Sequence, residues 1–215
     1  MYAAGGTTNP LDTQTVVVLT DVSNLEIGGR NLIINSSFER QGYKWSAGYA
    51  EGKSYPKEGR DGGYCAKITG KFNTNCYLLH EDAYRVKAGE TYTLSSWTKS
   101  KDIVKGTTNY FVSLYIGFYD KDNKYKAEAK INNGQMPLST NWERNILTFT
   151  VPDVSGIEHM WVYLYARDFT GTIWWDDVQL ETGNQVMDWT PALEDMETLV
   201  ITPVSYTHLT LPTKA

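Results

Sequence analysis

The chain has 215 residues, 41% of them hydrophobic and 21% charged, which allows one ordinary globular domain with tails. A formal net charge of -5 and the lack of any basic run argue against a nucleic-acid backbone as partner. No stretch approaches the roughly 20 apolar residues of a membrane span, so no membrane insertion is expected.

Residues 1–27 are polar, rich in Thr, Asn and Gly, and read as a connector from something upstream, with Gly28 and Gly29 as the hinge. The start has no charged n-region or cleavage site, and the apolar run at 16–19 is too short for a signal core. Strand signals begin at Arg30. Residues 31–39 (NLIINSSFE) read as a first strand running into a loop, and the Gly-rich loop 41–63 holds Trp45, Tyr49 and Tyr55. Residues 64–69 and 76–80 read as short strands, and 91–99 alternates with Tyr92, Leu94 and Ser96 opposite Trp97. Residues 110–119 put Val112, Leu114, Ile116 and Phe118 on one side and Phe111, Ser113, Tyr115 and Tyr119 on the other. Residues 145–151 place Leu147, Phe149 and Val151 inward before Pro152 ends the run. Short alternating segments, broken by Gly, Asn, Pro and Asp turns and lacking a helical period, predict an all-β fold, a two-sheet antiparallel sandwich.

The most informative stretch is 159–195. In residues 160–167, Met160, Val162, Leu164 and Ala166 alternate with Trp161, Tyr163, Tyr165 and Arg167. Period two sends one set to a core and the other away from it, so the outward face is aromatic where a solvated strand carries Thr, Lys or Glu. Residues 168–171 read as a tight turn into a second strand, 172–180. That strand puts Trp174, Asp176, Val178 and Leu180 on one side, and an acid in register with two aliphatics is costly to bury unless something pairs with it. Trp174, Trp175 and Trp189 read as structural.

Trp97, Tyr115, Tyr119, Trp161, Tyr163, Tyr165 and Arg167 form the candidate carbohydrate-binding set. A sugar ring stacks its C–H face on an aromatic ring while its hydroxyls need polar partners, for which Arg167, Ser113 and Ser95 are available on the same side. Against this stands a second small core, with the 41–63 loop covering the rings; in that loop Trp45 and Tyr49 are placed to line one end of a cleft. Catalysis finds little support. There is no G-x-S-x-G, H-E-x-x-H, P-loop or G-x-G-x-x-G, and adjacent Asp176 and Asp177 would point to opposite faces. Cys65 and Cys76 fit no metal spacing, and a disulfide between them is left open.

Three stretches taken together, GRNLIINSSFE at 29–39, AGETYTLSSWTKS at 88–100 and GTIWWDDVQLETGNQVMDWTPALED at 171–195, resemble the jelly-roll carbohydrate-binding modules of the galactose-binding-like group. They are most similar to the version carried by tail and minor structural proteins of phages of Gram-positive hosts. The resemblance spans residues 28–195. It implies a structural Ca2+ held by Glu39 and Asp176, with loop carbonyls near 60–62 completing a shell of six to eight oxygens. It further implies a cell-surface or cell-wall glycan and other tail subunits as partners. The place of action would be the virion tail, after synthesis in the host cytoplasm without a signal peptide. A spacer of the tail without ligand, or an accessory module of a secreted glycosidase, remain the other readings. Residues 196–203 read as the start of a truncated downstream segment. Residues 204–213 (VSYTHLTLPT) resemble one frame of a transposase-type sequencing adapter, so 204–215 read as read-through.

Overall fold

The structure is a computed structural model that describes residues 29–196. The connector 1–27, Gly28, and the expectations for 197–215 lie outside the described residues. Eleven strands follow in order: β1 (Trp45–Ala47), β2 (Lys53–Ser54), β3 (Ala66–Thr69), β4 (Leu78–His80), β5 (Tyr84–Arg85), β6 (Thr91–Lys105), β7 (Phe111–Tyr119), β8 (Tyr125–Lys130), β9 (Glu143–Thr150), β10 (His159–Arg167) and β11 (Phe169–Thr182). A single helical turn, α1 (Leu193–Met196), ends the described chain.

The strands form two antiparallel sheets. One runs β1-β4-β10-β7-β8, with β5 also paired to β10; the other runs β2-β3-β11-β6-β9. Between them lies one core. Val112, Leu114, Ile116 and Phe118 of β7 meet Met160, Val162, Leu164 and Ala166 of β10 from the first sheet, and all eight are fully buried. Leu94, Leu147, Phe149, Val178 and Leu180 close it from the second, with Phe118 and Phe149 in contact across the gap at 6.0 Å. The expected two-sheet sandwich and its core are therefore as the alternation predicts.

Three local expectations are corrected. Residues 31–39 form no strand: Asn35 and Phe38 adopt φ of 54° and 59°, and the segment turns twice. Asn35 holds it there by donating Nδ2 to the carbonyls of Gln41 and Tyr43 while Oδ1 accepts the Arg40 N–H. The apolar residues that mimic a strand, Ile33 and Phe38, are plugs in the core.

The second correction concerns 168–171, which is not a hairpin turn. β10 and β11 belong to different sheets, and the chain crosses between them at Asp168 with φ 54°. The Asp168 carboxylate accepts the N–H groups of Asn73, Asn109 and Thr108, at 2.8, 2.8 and 3.2 Å, and so ties three loops to the crossing.

Third, alternation in β11 breaks. The register against β6 shifts between Asp176 and Gln179, with Asp177 at φ 47°. Ile173 and Trp175 before the bulge, and Val178 and Leu180 after it, all face the core. Asp176 thus shares a side with Trp174, not with the aliphatics, because one inserted residue inverts the side-chain phase.

The two ends of the domain clasp each other. Asn31 Nδ2 donates to the carbonyls of Val178 and Thr190, Trp189 Nε1 donates to Ser36 Oγ, and Asp195 accepts the Asn35 N–H and pairs with Arg40. Arg30 pairs with Glu194. Cys65 and Cys76 are buried and free.

Candidate functional site

Strand register puts the outward side chains of three neighbouring strands in rows. In β7 and β10, Tyr115 lies opposite Tyr163, Ser113 opposite Tyr165, Phe111 opposite Arg167, and Gly117 opposite Trp161. On the far side of β10, Tyr163 lies opposite Leu79 of β4. Cross-strand neighbours on one face stand close enough for rings to touch. They do: Tyr115 meets Tyr163 and Tyr165 at 5.4 Å each, and Phe111 meets Tyr165 at 5.2 Å. Tyr77 joins at 5.6 Å from Tyr163 and 5.3 Å from Tyr165. Trp161 and Tyr119, 4.8 Å apart, extend the layer along β10. Gly117 leaves the room this needs, because a β-carbon there would meet the Tyr119 ring at 2.7 Å.

Most pairs are tilted or edge-to-face, the arrangement that ring quadrupoles favour. The layer is only half-buried: Tyr115, Tyr119, Trp161, Tyr165 and Arg167 keep part of their surface open, and Tyr163, at its centre, is 9% exposed. The 41–63 segment reaches the layer at its edge, where a β-carbon on Gly48 would lie 2.6 Å from the Tyr77 ring, and leaves Tyr115, Tyr119, Trp161 and Tyr165 partly open. Its Trp45 sits in the core against Phe38, Tyr49 and Tyr55 pack on the same core, and neither Trp45 nor Tyr49 lines a cleft on this face.

The hydroxyls are placed by neighbours. Tyr119 and Tyr163 share a hydrogen bond at 3.0 Å, Tyr115 donates to Glu128 Oε2 at 2.9 Å, and Tyr165 donates to Asn75 Oδ1 at 3.4 Å. Burial, reinforced by Tyr119, pushes the Tyr163 phenol far above the ordinary tyrosine range; burial and the Glu128 carboxylate do the same for Tyr115. Both stay protonated and remain donors. At the Phe111 end an open cleft of about 440 Å3 lies between rings (Phe111, Tyr115, Tyr165) and polar groups (Asn109, Glu128, Lys130, Asn133, Arg167).

The structure thus brings together six of the seven expected residues: Tyr115, Tyr119, Trp161, Tyr163, Tyr165 and Arg167. Trp97 stands apart. It lies on β6 in the other sheet, where the Arg60 guanidinium covers its ring at 4.8 Å. Ser113 and Ser95 are also spent elsewhere. Ser113 Oγ accepts the Ile131 N–H, and Ser95, on the opposite sheet, accepts from Arg144. Tyr77, Glu128 and Lys130 were missed by sequence reasoning. For Glu128 and Lys130 the signal is the alternation of β8, where Ala127 and Ala129 pack on the core while Glu128 and Lys130 face out.

On the other sheet, Asp176 is buried under the loop 59–64 although it points away from the core. Its Oδ2 accepts the Arg60 N–H at 2.8 Å, and Glu39 Oε1 accepts the Tyr64 N–H at 2.9 Å, so both carboxylates grip one loop. A β-carbon at Gly59 would lie 2.8 Å from Asp176 Oδ2, 2.8 Å from the Gly63 carbonyl and 2.6 Å from the Tyr64 carbonyl. Three oxygens therefore converge on one point, and only a glycine leaves it free. Among the described residues no three His, Cys, Asp or Glu side chains gather. A cation here would rely on two carboxylates plus backbone oxygens, an all-oxygen set of the kind calcium takes. Burial pushes the Asp176 carboxyl up to about 7, against the lowering effect of the Arg60 N–H.

Two antiparallel sheets around one core, with an aromatic outer layer on one of them, define the class of β-sandwich modules. The chain belongs to the carbohydrate binding domain family, whose model matches residues 30–172. Among solved structures, it is similar to the enzymatically active domain of tailspike protein 4 of bacteriophage CBA120, at 14% identity and a TM-score of 0.50. That match covers 71% of this chain and 21% of the other, so this chain spans about a fifth of the tailspike domain's length. It is equally similar to the CBM22-1 xylan-binding domain of Paenibacillus barcinonensis Xyn10C, at 14% identity and TM-score 0.50, over 74% of this chain and 97% of that one. At such identities the likeness speaks for the fold. No curated protein sequence matches this chain. Among the described residues no helix is long and apolar enough to cross a membrane.

Proposed function

We propose that this chain is a non-catalytic glycan-binding module of a phage tail or minor structural protein. In this reading it adheres to host cell-surface carbohydrate through the outer face of the six-stranded sheet. The observation that carries the proposal is the ring layer itself. Tyr115 and Tyr165 touch each other over the buried Tyr163 yet stay partly open outside the core, and a cleft opens beside them among polar groups. Rings left half-open at the edge of a cleft are what a sugar's C–H face needs, and the protonated Tyr hydroxyls, Asn109, Asn133 and Arg167 can meet its hydroxyls. The tail setting draws support from the three ordered sequence stretches and agrees with the tailspike likeness in fold.

We further propose that Ca2+ is held by the Asp176 and Glu39 carboxylates together with the Gly63 and Tyr64 carbonyls. Bound there, the ion neutralises a buried carboxylate and fixes the loop; it takes no part in sugar contact, since the ring layer lies on the other sheet.

The test pairs two readouts. Tyr115→Ala should lose most retention on host cell walls while thermal unfolding shifts by no more than about 1 kcal/mol. Loss of roughly 3–5 kcal/mol of stability, the range for a large core truncation, would instead make the ring layer a second core and the module a spacer.

A further inference from the structure

The cleft beside the ring layer carries a charge arrangement that a neutral sugar does not need. Two cations stand near one ring: the Arg167 guanidinium carbon lies 5.6 Å and the Lys130 ammonium 5.8 Å from the Phe111 centroid. A single acid, Glu128, lines the same cleft, and both of its oxygens are used. One pairs with Lys130 and the other accepts the Tyr115 hydroxyl. Asp168, next in sequence to Arg167, gives its carboxylate to three backbone N–H groups. Arg167 is therefore left without an acid of its own. Its Nε donates to the Asn109 carbonyl at 2.9 Å, and among the described residues no carboxylate pairs with its terminal nitrogens.

That guanidinium is also held in place. The Asn109 N–H is bound by Asp168, so a chain of hydrogen bonds from Asp168 through Asn109 fixes the plane of the fork. A fixed, planar, unpaired guanidinium beside an aromatic wall fits a carboxylate or a phosphate, which it can take through two parallel N–H bonds. With a net charge of -5 the whole chain does not draw anions, so any such preference is local to this cleft.

We propose that the cleft selects glycans bearing an anionic group, a carboxylate or a phosphate, which Arg167 binds with Lys130 nearby. The proposal rests on the glycan-binding reading of this face and adds the ligand class. The experiment uses the full chain on an array of neutral, uronate-bearing and phosphate-bearing bacterial glycans. Titration then follows with a matched trio: the best neutral oligosaccharide, its uronate form and its phosphorylated form. An anionic member should bind at least about tenfold more tightly than the neutral one, as a charge-assisted bidentate contact gives. The advantage should shrink with added salt, because the site is half open to solvent. Uronate against phosphate identifies the source. In Arg167→Gln the anionic-to-neutral ratio should fall towards one. A ratio near one in the wild type, with neutral sugar still bound, overturns this proposal and leaves the glycan reading standing. A high ratio that survives in Arg167→Gln overturns the assignment to Arg167. Binding to no glycan of any class overturns the glycan reading and this proposal with it.

Discussion

The two outer faces of the sandwich obey the same alternation and are finished in opposite ways. On the six-stranded sheet the outward side chains are rings that satisfy one another and leave a cleft open. On the five-stranded sheet the outward side chains are acids, amides and tryptophans, and the chain comes back to cover or pair them. The loop 59–64 seals Asp176, and Arg60 lies on Trp97. Trp174 carries Lys67 at 5.0 Å and Lys99 at 5.2 Å and donates its indole N–H to Glu58. Residues 187–190 bind back to Glu181 and Gln179. Tryptophan alone therefore does not mark a ligand surface. What marks it is whether the rings border a cleft that stays open, as Phe111, Tyr115 and Tyr165 do.

The largest expected effect compares two neighbours in β10. Leu164→Ala removes a fully buried side chain from the shared core and should cost about 2–5 kcal/mol in denaturant unfolding. Tyr165→Ala, one residue on but on the ring face, should cost less, about 1 kcal/mol, since its ring meets Tyr77, Phe111 and Tyr115 yet keeps part of its surface open to solvent. Equal losses would erase the distinction between core and face on which the functional reading stands.

Next in size is the sealed acid. If calcium sits under the 59–64 loop, excess chelator should lower the melting temperature, since an ion bound only to the folded state at 100 times its Kd adds about 2.7 kcal/mol. Asp176→Asn should abolish most of that difference. Tyr115→Ala should leave it intact, because the two sites lie on opposite sheets. A chelator effect of the same size in Asp176→Asn would move the ion elsewhere.

Alternation made the core and the aromatic face legible because period two is a local property of one strand. Val112, Leu114, Ile116 and Phe118, with Met160, Val162, Leu164 and Ala166, are all buried, as their spacing requires. It failed where geometry is set from a distance. The bulge at Asp177 is a backbone choice that no side-chain pattern announces, and it carries Asp176 to the other face. Trp97 alternates as the face residues do, but its outward side belongs to the other sheet, which only the strand order reveals. Residues 31–39 carry strand-like composition, yet the Asn35 side chain captures the carbonyls of Gln41 and Tyr43 and turns the chain. The cleft depends on Asp168 anchoring residues 108 and 109, a contact spanning about 60 positions in sequence.

The smallest effect separates the sheets by pH. Beneath the edge of the six-stranded sheet His80 is fully buried, with Nε2 bonded to the Ile34 carbonyl at 3.2 Å and Nδ1 to the Tyr84 hydroxyl at 3.0 Å. The Trp45 ring stands against it at 5.0 Å. Burial lowers the His80 pKa below its ordinary 6.5, outweighing the opposing pull of Asp82. The unfolded chain then binds a proton more readily than the folded one, so stability rises with pH across the gap between the two values. This contribution is fully present above 6.5 and is lost as the pH falls towards the folded value, with a slope of at most about 1.4 kcal/mol per pH unit. His80→Gln keeps a donor and an acceptor but does not titrate. Urea midpoints at pH 7.5 and 5.5, roughly a unit either side of the ordinary histidine value, should differ less in that variant than in the wild type. An unchanged pH difference would assign the acid sensitivity to the carboxylates of the five-stranded sheet and its loops instead.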